Sequence, residues 1–191
     1  MPPERNNPFV GPRAIKTGEP LYGRERETAQ LANLMIAERI VLLYSPSGAG
    51  KTSLIQAALI PRLQSRKFNI LATTRVNLEP PPDTRERQEF NRYVFSVLSS
   101  LEEEQPDDLR VDITTLSGMR LSEYLERFQD PAVVLVFDQF EEILTVNPAD
   151  QEAKREFFEQ VGEALSIRNR WALFSMREDY IAALEPYLLP I

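Results

Sequence analysis

Apolar residues fall into two kinds of run along this chain. Short continuous runs occupy residues 39–44 (RIVLLY), 69–76 (NILATTRV), 132–137 (AVVLVF) and 171–176 (WALFSM). Runs of that length, rich in β-branched residues, predict strands buried on both faces. Between them apolar residues recur every three or four positions, the spacing of one helical face. Leu31, Leu34 and Met35 share such a face within 24–37, and Leu54, Ile55, Ala58 and Leu59 share one in a helix starting at Lys51. Phe90, Tyr93, Val94 and Val97 do so within Arg85–Leu101, as do Phe157, Val161, Ala164 and Leu165 within Pro148–Ile167. Shorter helices are predicted over Leu116–Phe128 and Glu178–Leu184. Pro61 is expected to break or kink its helix, leaving Arg62–Lys67 as a loose turn.

The segments between these elements read as loops. EPPPDT (79–84) is one, and EEEQPDD (102–108) is expected to be a solvated acidic loop. Residues 1–20 are proline-rich with little periodicity and read as an extended N-terminal arm, followed by a single core domain over 21–191. Continuous apolar strands alternating with helices predict an α/β fold: a mostly parallel sheet of about five strands with helices on both faces, a three-layer α/β/α arrangement. Ligands of such sheets sit beyond the carboxyl ends of the strands, which places 45–52, 138–142 and 175–178 on one rim.

Composition narrows the chemistry. The 191 residues carry a formal charge of −7, which argues against a sequence-independent nucleic-acid binder with a basic face. Cysteine and histidine are both absent. Disulfides, thiolate metal sites and histidine-based nucleophilic catalysis are therefore excluded, and a reducing cytoplasm fits. Any catalysis must run on carboxylates, Lys, Arg, hydroxyls and a hard metal ion. No apolar run reaches the ~18 residues of a membrane span. The closing stretch LEPYLLPI is apolar and lacks a polar tail, and reads as the boundary of a longer protein.

Candidate chemistry starts at SPSGAGKTSL, residues 45–54, directly after the first strand. In the pattern G-x-x-x-x-G-K-[ST], successive backbone N–H groups wrap phosphates, glycines permit the close approach, lysine reaches the terminal phosphates and the hydroxyl ligates Mg²⁺. Ser45 stands in place of the first glycine; Gly48, Gly50, Lys51 and Thr52 complete the pattern, with Ser47, Ala49 and Ser53 supplying further contacts to the nucleotide. At the end of the third strand, FDQFEE (137–142) sets Asp138 where a carboxylate needs a cation or a partner. Asp138 is thus the metal-side carboxylate, with Thr52 its companion ligand. Glu141 or Glu142 is placed to accept a proton from an attacking water or to orient it; both could also be simply the polar first turn of a helix. Arg177, in SMRED, ends the fourth strand and could read a γ-phosphate, or pair with Glu178 or Asp179 on the surface.

Taken together these segments resemble the STAND class of P-loop NTPases, in the AAA+-like branch, and most of all the bacterial novel STAND NTPases. NPFVGPR (7–13) and LYGRE (21–25) resemble that group's N-terminal signatures, and SPSGAGKTSLIQAALIPRL (45–63) its Walker A loop and helix. VLVFDQFEEIL (134–144) resembles its Walker B and FSMREDYI (174–181) its sensor strand. The resemblance implies a nucleotide-driven signalling switch, with ATP or ADP and Mg²⁺ as ligands and slow or partner-dependent ATP hydrolysis. It implies self-association on activation, an unknown protein trigger, and roles in bacterial defence or cell death. It assigns Arg24, in LYGRE, a place near the base or phosphates, and Arg177 the sensor role. A nucleotide-binding interaction module without useful turnover is the alternative; a P-loop small-molecule kinase fits less well, because no arginine-rich lid is visible.

Overall fold

The structure, a computed structural model, describes residues 13–80 and 90–189. The start expected for the helix at Arg85, most of the EPPPDT loop and most of the NPFVGPR signature lie outside the described residues.

Each of the four apolar runs forms a strand. β1 (Ile40–Ser45), β2 (Asn69–Thr74), β3 (Val133–Phe137) and β4 (Arg170–Arg177) make a wholly parallel sheet in the order β1-β4-β3-β2. About five strands were expected; the sheet has four among the described residues, because no fifth continuous apolar run lies there. The order matters for the rim. It inserts β4 between β1, which leads into the glycine loop, and β3, which ends at Asp138.

Helix α1 (Glu25–Glu38) and a long helix α2, from Lys51 to Gln64, cover one face of the sheet. Their buried side chains include Leu31, Met35, Ile55 and Leu59, packed on Val134, Val136 and Leu173 of the strands. Leu34, placed inward by spacing, is exposed, and Ala32 and Thr28 take the inward positions beside Leu31 and Met35. The opposite face is covered by α3 (Arg92–Glu103), α5 (Leu121–Leu125) and α7 (Gln151–Ser166). Phe157, Val161, Ala164 and Leu165 of α7 are all buried there, as their spacing predicts.

Four local expectations are corrected. Pro61 does not end its helix. α2 runs from Lys51–Ser53 through a widened, π-helical stretch, Leu54–Leu59, into Ile60–Gln64. Proline offers no N–H and crowds the carbonyl four residues back; a wider turn relieves that crowding. The backbone N–H of Ile60 accordingly donates to Ile55 O, five residues back. The segment Leu116–Phe128 is two short helices, α4 (Ile113–Leu116) and α5, because Arg120 adopts an extended conformation ahead of Leu121. The stretch 102–108 is not wholly solvated. α3 extends to Glu103, and Glu102 is buried, where it pairs with the Arg127 guanidinium and accepts the Val111 N–H at 2.9 Å. Burial alone would raise that carboxyl; the Arg127 and Val111 bonds outweigh it and hold it below the ordinary range. The last predicted helix also divides, into a 3₁₀ turn Glu178–Tyr180 and a helix Ile181–Leu184.

Residues 13–20, expected to be extended, contain a turn closed by Arg13 and Glu19, whose ion pair measures 2.7 Å. No helix among the described residues is long and apolar enough to cross a membrane.

Beneath the rim lies an aromatic cluster. Phe140, just past the end of β3, sits 4.8 Å from Phe174 and 5.8 Å from both Phe137 and Phe158, centroid to centroid. Phe137 stacks on Phe174 at 4.7 Å. Phe140 is thereby the anchor that holds the loop 138–141 against the sheet. Phe140→Ala removes that anchor and is expected to lower stability by about 3–5 kcal/mol, measured by urea unfolding. A loss below about 1 kcal/mol would show that the cluster does not hold the loop.

Candidate functional site

The rim is built by register. Ser45 at the end of β1 lies level with Arg177 of β4, and Phe137 of β3 with Phe174. Side chains alternate along each strand, so residues two apart share a face. Val136 and Leu173 face α2, and Asp138 and Ser175 therefore do so as well. The loop after β3 is tied on both sides. The Asp138 N–H donates to Thr74 O of β2 at 3.1 Å, and the Phe140 N–H donates to Ser175 O of β4 at 2.9 Å. Gln139 between them takes a left-handed conformation, φ +55.

The glycine loop turns through two left-handed residues, Gly48 at φ +76 and Gly50 at φ +81. A side chain at either position would be strained, which is the physical reason for glycine there. Gly50 leads directly into α2, so Lys51 and Thr52 open the helix. Lys51 Nζ donates to Ser45 O at 3.0 Å, Ser45 Oγ at 3.1 Å and Pro46 O at 3.2 Å. The ammonium is folded over its own loop and held by neutral oxygens, which phosphate oxygens can replace with gain. The Arg24 guanidinium donates to Ala49 O at 3.0 Å, so this residue contacts the glycine loop from outside and also pairs with Glu27 at 3.4 Å. Ser53 Oγ accepts the Ile15 N–H at 3.0 Å. Ser47 is exposed at the loop's turn.

Thr52 Oγ1 donates to Asp138 Oδ2 at 2.7 Å. This contact brings the two expected metal ligands together across the sheet, with Asp138 only 5 % exposed. No group of three or more acidic, histidine or cysteine side chains is gathered among the described residues. One carboxylate and one hydroxyl, the rest supplied by substrate and water, is the manner in which Mg²⁺ is held with phosphates. The residues present fit that group.

The two glutamates separate. Glu141 Oε2 accepts the Arg177 N–H at 3.2 Å, which holds this carboxylate at the β4 end of the rim. Glu142 lies in the first turn of the short helix α6 (Glu142–Thr145), and its Oε2 is buried without a hydrogen-bond partner among the described residues. Burial raises the Glu142 carboxyl above its ordinary range; Glu141 and Asp138 push the same way and Arg75 opposes them. The Arg177 guanidinium pairs with Asp179 at 2.6 Å and lies over the Tyr180 ring at 5.4 Å. The backbone of Arg177 thus belongs to the site, while its charge is turned along the surface.

Two residues near the rim are not singled out by the sequence, although Ser175 falls within the stretch 175–178 placed there. Ser175 is fully buried on the Asp138 face, and its hydroxyl has no partner among the described residues. Alternation along WALFSM could have found it. Arg75, one residue past β2, is a positive charge that acts on Glu142; no local pattern marks it.

A family model for Novel STAND NTPase 1 (nSTAND1) matches residues 8–189, and the chain belongs to that family, a STAND-class P-loop NTPase. Among solved structures, the Walker-type ATPase PABY2304 of Pyrococcus abyssi is similar over 92% of this chain, with a TM-score of 0.61 and 16% identity. That likeness supports the α/β P-loop fold. The chain spans 50% of the length of that structure. No curated protein matches significantly.

The raised Glu142 carboxyl has a consequence for stability. A group whose folded value is raised favours the fold while protonated, and the benefit is lost as pH rises through that value. Glu142→Gln is therefore expected to raise the melting temperature of the nucleotide-free protein at about pH 8 and to give no gain at about pH 4. An equal effect at both would show that Glu142 does not titrate with folding.

Proposed function

We propose that this chain is the nucleotide-operated part of a signalling switch, binding Mg-ATP and hydrolysing it slowly to ADP. The observation that carries the reading is the 2.7 Å contact between Thr52 and Asp138, beside a lysine held only by neutral oxygens. A hydroxyl and a carboxylate in contact where α2 leaves the glycine loop support the metal-holding role the family pattern expects of them.

In this reading Lys51 leaves Ser45 and Pro46 for the β- and γ-phosphates. The glycine loop from Ser47 to Gly50, with Ser53 behind it, wraps the phosphates, and Thr52 and Asp138 hold the metal. Mg²⁺, when bound, would offset the negative charge of the terminal phosphates. Glu141 orients the attacking water and accepts its proton. It is favoured over Glu142 because the Arg177 N–H holds its carboxylate at the β4 end, between the strand that anchors Lys51 and the strand that ends in Asp138. Arg177 reads the γ-phosphate by exchanging Asp179 for it, so occupancy is reported to Tyr180 and the short helix beyond. Arg24 fastens the glycine loop through Ala49. Self-association on activation and a role in bacterial defence or cell death rest on the family resemblance, and a cytoplasmic location on the absence of cysteine.

One observation favours a second reading, a binding and oligomerisation module without turnover. The Arg177 charge is committed to Asp179, and a sensor that stays committed would leave hydrolysis unassisted.

Lys51→Ala is expected to weaken ATP and ADP binding by about 2–4 kcal/mol in calorimetry, because a charge-assisted contact is lost. Glu141→Gln is expected to keep that binding and lose at least about tenfold in steady-state phosphate release. Unchanged affinity in Lys51→Ala contradicts the site. Retained binding with no phosphate release from the unsubstituted protein favours the second reading.

A further inference from the structure

The widened stretch of α2 leaves one backbone carbonyl with no partner inside the helix. In an ordinary α-helix Gln56 O would accept the Ile60 N–H, but that N–H is committed to Ile55 O. In the π register Gln56 O would accept from residue 61, which is Pro61 and has no N–H. The bond is supplied from elsewhere. Thr17 Oγ1, in the segment ahead of α1, donates to Gln56 O at 2.9 Å.

This segment is built to deliver that hydroxyl. Arg13 and Glu19 pair at 2.7 Å, the Lys16 N–H donates to Glu19 Oε2 at 2.8 Å, and Gly18 makes the turn at φ +87. The segment also fastens the residue just ahead of the widened stretch, because the Ile15 N–H donates to Ser53 Oγ at 3.0 Å. Ser53 is the residue after Thr52. The two bonds therefore bracket the turn in which the register changes.

The register sets the phase of the phosphate-binding turn. Leu59 and Leu63 fix the far part of α2 in the core, both 1 % exposed. Each residue of a helix turns about 100° and rises about 1.5 Å, so restoring an ordinary register between those anchors and Lys51 would rotate Lys51 and Thr52 away from Ser45 and Asp138. Widened turns of this kind occur often at functional sites.

We propose that Thr17 is a positioning residue of the nucleotide site: by replacing the N–H that Pro61 lacks, it holds α2 in the register that sets Lys51 and Thr52 opposite Asp138. The proposal rests on the reading of the site as a nucleotide site. A population in the wrong register binds no nucleotide, so losing Thr17 lowers apparent affinity by the fraction displaced.

The test is Mg-ADP titration by calorimetry of the whole chain and four variants: Thr17→Val, Thr17→Ser, Pro61→Ala and the Thr17→Val, Pro61→Ala pair. Thr17→Val is expected to raise Kd about fivefold, the scale of one net hydrogen bond, and Thr17→Ser to restore it. Pro61→Ala returns an N–H to the helix, so adding Thr17→Val to it should change Kd by less than about twofold relative to Pro61→Ala alone. A Thr17→Val Kd within about twofold of the unsubstituted protein overturns the proposal, as does an equal loss with and without Pro61. A merely structural latch would lower melting temperature without this dependence on Pro61. If the unsubstituted chain binds no Mg-ADP, the nucleotide reading itself falls and the proposal with it; binding that Thr17→Val leaves intact removes the proposal alone.

Discussion

The hydrogen bond from Thr52 to Asp138 joins the first turn of α2 to the end of β3, across a sheet in which β4 lies between β1 and β3. A carboxylate left almost without solvent is tolerated only with a partner. Thr52 is the partner here, and a cation is the partner that both residues together suit. Most of the rim can be understood as what keeps these two groups opposite each other. Gly50 starts α2 at the required point, Phe140 pins the loop after Asp138 into the aromatic cluster, and the bonds to Thr74 and Ser175 hold that loop from either side.

Around this pair the site keeps groups that are not at rest. Lys51 is turned back on neutral oxygens, and among the described residues Glu142 Oε2 and the Ser175 hydroxyl, which shares a sheet face with Asp138, are buried without a hydrogen-bond partner. Unpaired buried polar groups are unfavourable, on the order of 1–3 kcal/mol each, and they are kept where a ligand or a change of state relieves them. Glu142 and Ser175 lie at the strands' carboxyl ends, the position at which such sheets bind ligands.

Much of this was legible before any coordinates. The four apolar runs became the four strands, because continuous burial leaves a simple mark in sequence. The phosphate loop and the Asp138 strand end were readable because glycine conformations and a buried carboxylate admit few explanations. What stayed hidden depended on distant residues. Pro61 reads locally as a helix breaker, yet Thr17, far earlier in the chain, lets α2 pass it in a wider turn. Glu102 reads as one of a solvated acidic run, yet Arg127 draws it inward. Glu141 and Glu142 are chemically alike and adjacent, and only the Arg177 N–H on one side and burial on the other tell them apart. Arg177 reads as a phosphate sensor or as the partner of a neighbouring acid; the structure has it on Asp179.

In the proposed function Thr52 and Asp138 together hold the metal that accompanies the nucleotide. The most direct test of that role is the Mg²⁺ dependence of ATP affinity, measured by calorimetry in the unsubstituted chain and in Thr52→Val. Mg²⁺ is expected to tighten binding at least about tenfold in the first and to change it little in the second. ATP affinity that is indifferent to Mg²⁺ in the unsubstituted chain would contradict it.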